Sequence, residues 1–160
     1  MSAKKLIKLL EKHVKLHKGL LELAKKKTEA LKKGDMEALS EMMKEEQTYI
    51  AAINQVERER IRVVEAMVGK EDERTLTACI SLAEGTERAT LEKLRDDLTA
   101  VISELKNVNQ LNQQLTQQSL EFVNVMLDML MPQPQNVNYA APNRVPNSYE
   151  VGRSLFDSKA

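Results

Sequence analysis

From Leu91 onward apolar residues recur in a strict three–four alternation: Leu91, Leu94, Leu98, Val101, Leu105 and Val108, then Asn112, Leu115, Ser119, Phe122, Met126 and Met129. That is a heptad seam held for about five repeats, which only a long helix packed lengthwise against other helices satisfies. Two of its positions, Asn112 and Ser119, are polar. Beyond Ser119 a second apolar stripe (Leu120, Val123, Leu127, Leu130) runs beside the first, leaving Glu121, Asn124 and Asp128 as a polar strip. The last three turns before Met131-Pro132 therefore carry more apolar surface than one seam uses, and the pattern predicts something that covers them.

Composition agrees with a helical reading. Charged residues make up 30% of the 160-residue chain, Trp is absent and Met occurs eight times. Such a sequence favours long helices over a sheet, with an aliphatic core. One cysteine, Cys79, excludes an intramolecular disulfide and fits a reducing compartment. No apolar run approaches the roughly 18 residues of a membrane span, and Met1–Lys8 lacks the apolar centre of a signal peptide. These features point to a soluble cytoplasmic protein without stable membrane insertion.

Helix 1 is expected over Ala3–Lys33, with two adjacent apolar stripes. Lys32 and Lys33 suit its negative end, Gly34 suits a left-handed stop, and Asp35 suits an N-cap for the next helix. So tight a Gly-Asp connection implies an antiparallel hairpin. Helix 2 is expected over Met36–Val68, with Leu39, Met42, Met43, Tyr49, Ile50, Ile53, Val56, Val63, Val64 and Met67 inward, and Gly69 as its stop. After a charged linker, Thr75 caps a short helix carrying Leu76, Cys79, Ile80, Leu82 and Ala83, closed by Gly85. Thr86 then caps the long helix. At about 45 residues it reaches roughly 65 Å, longer than the hairpin. The expected fold is all-α, an elongated antiparallel bundle over residues 1–131. Residues 132–160, with four prolines and many Asn, Gln and Ser, read as a flexible tail.

Charge is uneven although the net is zero. Residues 1–34 hold eleven Lys against Glu11, Glu22 and Glu29, while residues 35–74 and 75–131 are both acidic. Nucleic acid and anionic lipid are partners for such a patch. No Arg, aromatic or Gly-rich recognition feature accompanies the lysines, so the simpler reading is a basic helix beside acidic ones in its own bundle. No nucleic-acid partner is expected.

His13 and His17 share a helix face, but lysines surround them and no Glu or Cys completes a metal-ligand pattern. They read as stripe-edge residues, and Cys79 as a small core residue. No nucleophile elbow, phosphate loop or carboxylate pair is present, so neither an enzyme nor a cofactor is expected.

The informative run is residues 107–118, of which eight of twelve are Asn or Gln and none is charged. Amides offer adaptable hydrogen bonds without the desolvation cost of a buried charge. The Met-rich surface that follows carries Met126, Met129 and Met131, whose flexible side chains suit more than one partner helix. Together they suit an amphipathic helix laid in a groove. The plain alternatives are intramolecular core or a seam between two copies.

The run Leu111-Asn112-Gln113-Gln114-Leu115-Thr116-Gln117-Gln118-Ser119-Leu120-Glu121-Phe122-Val123 resembles the L-N-x-x-L-x-x-x-S-L-x-F-V pattern of FlgN-type flagellar export chaperones, especially those of Gram-positive bacteria. The likeness extends over the whole chain, through the Leu/Lys-rich first helix, the Gly-Asp hinge, the short third helix, the long fourth helix and the Pro/Asn tail. It implies a cytosolic chaperone for hook-associated proteins of the FlgK and FlgL type. Such chaperones hold amphipathic terminal helices soluble and deliver them to the flagellar type III export gate. It also implies a C-terminal client-binding segment. Here that maps onto Leu111, Asn112, Leu115, Gln118, Ser119, Leu120, Phe122, Val123, Met126, Leu127, Met129 and Leu130, with the tail or a second copy as cover when no client is bound. The competing expectation is a self-associating coiled coil without a client, its seam paired between identical chains and its register set by Asn112.

Overall fold

The computed structural model describes residues 2–69 and 76–131. The linker, the Thr75 cap and the 132–160 tail lie outside the described residues. Four helices follow in order, α1 (Ser2–Lys33), α2 (Met36–Val68), α3 (Leu76–Leu82) and α4 (Gly85–Leu130), with no strand among the described residues. The fold is all-α, a helical bundle of the expected element order.

The hairpin turn forms as its residue types dictate. Gly34 adopts φ 69°, Asp35 N–H reaches back to the Ala30 carbonyl at 3.0 Å, and the Asp35 carboxylate accepts from Ala38 N–H at 3.0 Å. The end of one helix and the start of the next are thus satisfied by two consecutive residues. α4 begins one residue earlier than its Thr86 signal suggests, at Gly85. The Thr86 carbonyl already accepts from the Thr90 hydroxyl inside the first turn.

The described residues form two compact units, the first ending at Ser119 and the second beginning at Leu120. In the first unit α1 is the central element. α2 packs antiparallel to it at short backbone distance, permitted by Gly19, over which the Tyr49 ring lies. α4 runs parallel to α1 and reaches it through side chains. Leu91 and Leu94 join Leu6, Leu9 and Leu10, and Val101 and Leu105 join Leu21 and Ala24. α3 adds Cys79 and Ile80, with Ala83 just beyond, to the first of these clusters, beside Val56, Val63 and Val64 of α2. Leu6, Leu10 and Leu91 are fully enclosed there, each contributing about 1.5–3 kcal/mol by removal from water.

The α1–α4 seam ends on a polar residue. Asn112 is buried, donates its side-chain amide to the Ala24 carbonyl at 2.9 Å, and accepts from the Thr28 hydroxyl. Thr28 and Asn112 are 84 positions apart, so Lys33, the last residue of α1, falls level with about Gln117 by helical rise.

The first half of α2 differs from expectation. Met43 and Ile50, read as inward, are exposed, together with Met36. The inner face of α2 is centred on Tyr49, Val56 and Val63, and these three apolar residues lie to one side of it. No residue of α2 before Val56 is buried.

Candidate functional site

The twelve candidate residues fall into two groups. In the first unit, Asn112 is committed to the interior by its bonds to Ala24 and Thr28. Leu115 is half-buried, whereas Leu111, Gln118 and Ser119 are exposed. Ser119 bonds back to the Leu115 carbonyl at 2.9 Å. In the second unit, every residue from Leu120 to Met131 is exposed except Asn124, which is half-buried. Phe122 stands 66% exposed and Met129, Leu130 and Met131 73% each. The helix itself is intact there, closing with Met131 N–H on the Leu127 carbonyl at 2.8 Å.

This surface is apolar over more than half the helix circumference, because Val125 joins the two stripes and only Glu121, Asn124 and Asp128 interrupt them. A run of large apolar side chains held on a helix and left open to water marks a contact surface rather than a core. The methionines at its end adjust their shape to whatever packs on them.

A second feature was not anticipated. Within the first unit a cleft of about 500 Å³ opens between α2 and α4, with α1 as floor. Leu10, His13 and His17 come from α1, Ile53, Asn54, Glu57 and Arg60 from α2, Leu76 from α3, and Leu98 and Ile102 from α4. A small hollow between the same three long helices lies farther along, bounded by Leu20 and Lys27 of α1, Glu46 of α2 and Asn109 of α4.

The cleft holds an unusual group. His13 is only 4% exposed, and neither ring nitrogen makes a hydrogen bond. Its Nε2 nevertheless faces Glu57 Oε2 at 3.1 Å. Burial lowers the His13 pKa below its ordinary 6.5, opposed by the Glu57 charge and aided by His17 and Arg60. Arg60 grips Glu57 with two bonds of 2.8 and 2.6 Å, which holds the Glu57 carboxyl below the usual range despite its partial burial. His13 and His17 stack at 5.6 Å. Among the described residues no cluster of three or more His, Cys, Asp or Glu is gathered as metal ligands would be. The sequence signal for this cleft is the shared helix face of His13 and His17 on its α1 side.

Lys25 meets Glu104 at 3.3 Å and Lys27 meets Glu46 at 2.6 Å, the two cross-helix pairs α1 lysines make among the described residues. No described helix is long and apolar enough to cross a membrane.

By its fold the protein is an all-α helical bundle, and its longest helix ends in exposed, Met-rich apolar turns. Residues 1–146 match the family described as FlgN protein, and the chain belongs to that family. It is also 41% identical, over the full length of both chains, to the uncharacterized protein YvyG of Bacillus subtilis (strain 168). The FlgN family is one of flagellar export chaperones. No solved structure matches the chain.

Proposed function

We propose that the chain is a cytoplasmic export chaperone for flagellar hook-associated proteins of the FlgK and FlgL type. It binds their amphipathic terminal helices, keeps them soluble and delivers them to the type III export gate. The observation that carries the reading is the open apolar end of α4, Leu120 to Met131. Leu111, Leu115, Gln118, Ser119, Leu120, Phe122, Val123, Met126, Leu127, Met129 and Leu130 are its contact residues. Asn112 supports them from inside by fixing α4 on α1.

Family membership supports the class of activity. The surface supports the class of ligand, since an apolar helix face is met most economically by another helix face. A self-associating coiled coil is less well served. Its seam would need Leu91, Leu94, Val101, Leu105 and Asn112, and α1 already occupies them.

The test is calorimetric titration with the terminal helical region of a hook–filament junction protein. Wild type is compared with Phe122→Asp combined with Met126→Asp. Both positions are exposed, so circular dichroism should show unchanged helicity. Binding by wild type that is weakened tenfold or more in the variant supports the proposal. Absence of binding by folded wild type removes it.

A further inference from the structure

The gap between α2 and α4 has the form of an unfilled fourth position in a helical bundle. α1 is its floor from Leu10 to Lys27, since both the cleft and the smaller hollow beyond it are bounded by α1, α2 and α4. At one end the position is taken by α3. Leu76 of α3 lines the cleft, and Cys79, Ile80 and Ala83 pack with Leu6, Val64 and Leu91. Where the position is filled, a helix fills it. Past Leu76 nothing among the described residues does.

Beside the α2 lining of the open part stand Met36, Met43 and Ile50, exposed by 58%, 41% and 37%, which line neither hollow themselves. Ile50 lies one turn from both Glu46 and Asn54, which bound the two hollows, and Met43 lies one turn from Glu46. All three therefore share the groove side of α2. Ile102, also exposed, stands on the α4 wall. Apolar residues spaced seven apart meet the seam of another helix, not a strand or a small molecule. From Arg60 to Glu46 the α2 lining extends over about 21 Å by helical rise, the length of about 14 residues of helix. His13, buried with its Nε2 3.1 Å from Glu57 Oε2, bounds the inner end.

We infer that this groove is a docking seat for one amphipathic helix of a client, laid between α2 and α4 and continuing the line of α3. The inference rests on the chaperone reading and extends it: the client meets two surfaces, the α4 end and the α2–α4 groove. The chain's own residues 132–160 do not suit the seat, because Pro132, Pro134, Pro142, Pro146 and Gly152 interrupt any helix of that length. The seat calls for a helix with a narrow aliphatic seam flanked by polar residues, as its rims carry both signs in Lys27, Glu46, Glu57 and Arg60.

The experiment uses the full chain and a peptide of the terminal helical region of a FlgK/FlgL-type protein. Titrations compare wild type, Met43→Asp combined with Ile50→Asp, and Phe122→Asp combined with Met126→Asp. Each chain is checked for helicity, and wild type is sedimented alone. The expected result is a Kd raised at least tenfold by the α2 pair, with gain of peptide helicity on binding to wild type. An unchanged Kd in the α2 pair, with loss in the α4 pair, overturns the groove while leaving the chaperone reading standing. No binding by wild type removes that reading and the groove with it. A wild-type dimer that the α2 pair dissociates, with peptide affinity unchanged, assigns the seat to a second copy and overturns the inference.

Discussion

The side-chain amide of Asn112 donates to the carbonyl oxygen of Ala24 across 2.9 Å, tying α4 to α1 from a position where the heptad seam calls for an aliphatic residue. A buried polar pair of this kind selects one register among the several that an aliphatic seam tolerates. Ala24 sits four residues before Thr28, and the Thr28 hydroxyl has both the Asn112 side-chain oxygen and the Ala24 carbonyl within reach. Asn112→Ala removes packing and both bonds, and is expected to lower stability by about 1–3 kcal/mol. Asn112→Leu leaves no orphaned group, since Thr28 retains the Ala24 carbonyl at 3.1 Å. Its stability is expected within about 1 kcal/mol of wild type. Urea unfolding followed by circular dichroism separates the two, and a Leu variant as unstable as the Ala variant contradicts the account.

Gly19 and Tyr49 set the spacing of the hairpin. A Cβ at Gly19 would fall 2.6 Å from the Tyr49 ring, whereas alanine in a helix interior is worth about 1 kcal/mol over glycine. Gly19→Ala should therefore stabilise a Tyr49→Ala background by about that amount and the wild type by clearly less. Thermal unfolding of the four members of this double-mutant cycle measures the difference. Additivity within error would mean that the ring moves aside freely.

Much of the architecture was readable because helix ends carry their own chemistry. The Lys32-Lys33-Gly34-Asp35 sequence placed one boundary and Gly69 another, and both stand where expected. The seam from Leu91 to Asn112 was readable as well, and its positions except Leu98 and Val108 are buried. Beyond that point the same periodicity continues without burial. Period alone does not tell whether a partner helix is present, and α1 ends at Lys33. Met43 and Ile50 were misread for a related reason: their spacing fits an inner stripe, yet α1 is met by the neighbouring face of α2 that carries Tyr49 and Val56. The partners of Asn112 on the seam were not legible. An amide among amides reveals its partner only once Ala24 and Thr28 are brought beside it.

Cys79 is fully buried between α1, α2 and α4, and burial pushes its thiol pKa above the ordinary value of 9.0, against the weaker opposing pull of Arg60. A thiol that is both protonated and enclosed does not react until the core opens. Labelling by a thiol reagent at neutral pH should therefore be slow, with a rate that rises in urea in step with unfolding. Fast labelling of the folded protein would show that α3 detaches readily from the cluster.

The pH dependence of stability follows from His13. Its pKa is lowered in the folded state below the ordinary 6.5, chiefly by burial. The unfolded chain therefore binds the proton more readily, and the stability tied to neutral His13 is complete above about pH 6.5 and lost as pH falls through the folded value. Glu57, also lowered, from 4.5, acts in the same direction but only below that pH. Between about pH 6.5 and 4.5 the His13 contribution is thus separable from that of Glu57. The groups facing His13 are Glu57 and Arg60 of α2 and His17 of α1, with Leu98 and Ile102 as the α4 lining of the cleft. Thermal midpoints measured by circular dichroism should fall as pH drops across this window. His13→Leu removes the titrating group while leaving Arg60 to hold Glu57, so its profile should be flatter there. An unchanged slope in that variant would mean that the proton is taken up elsewhere.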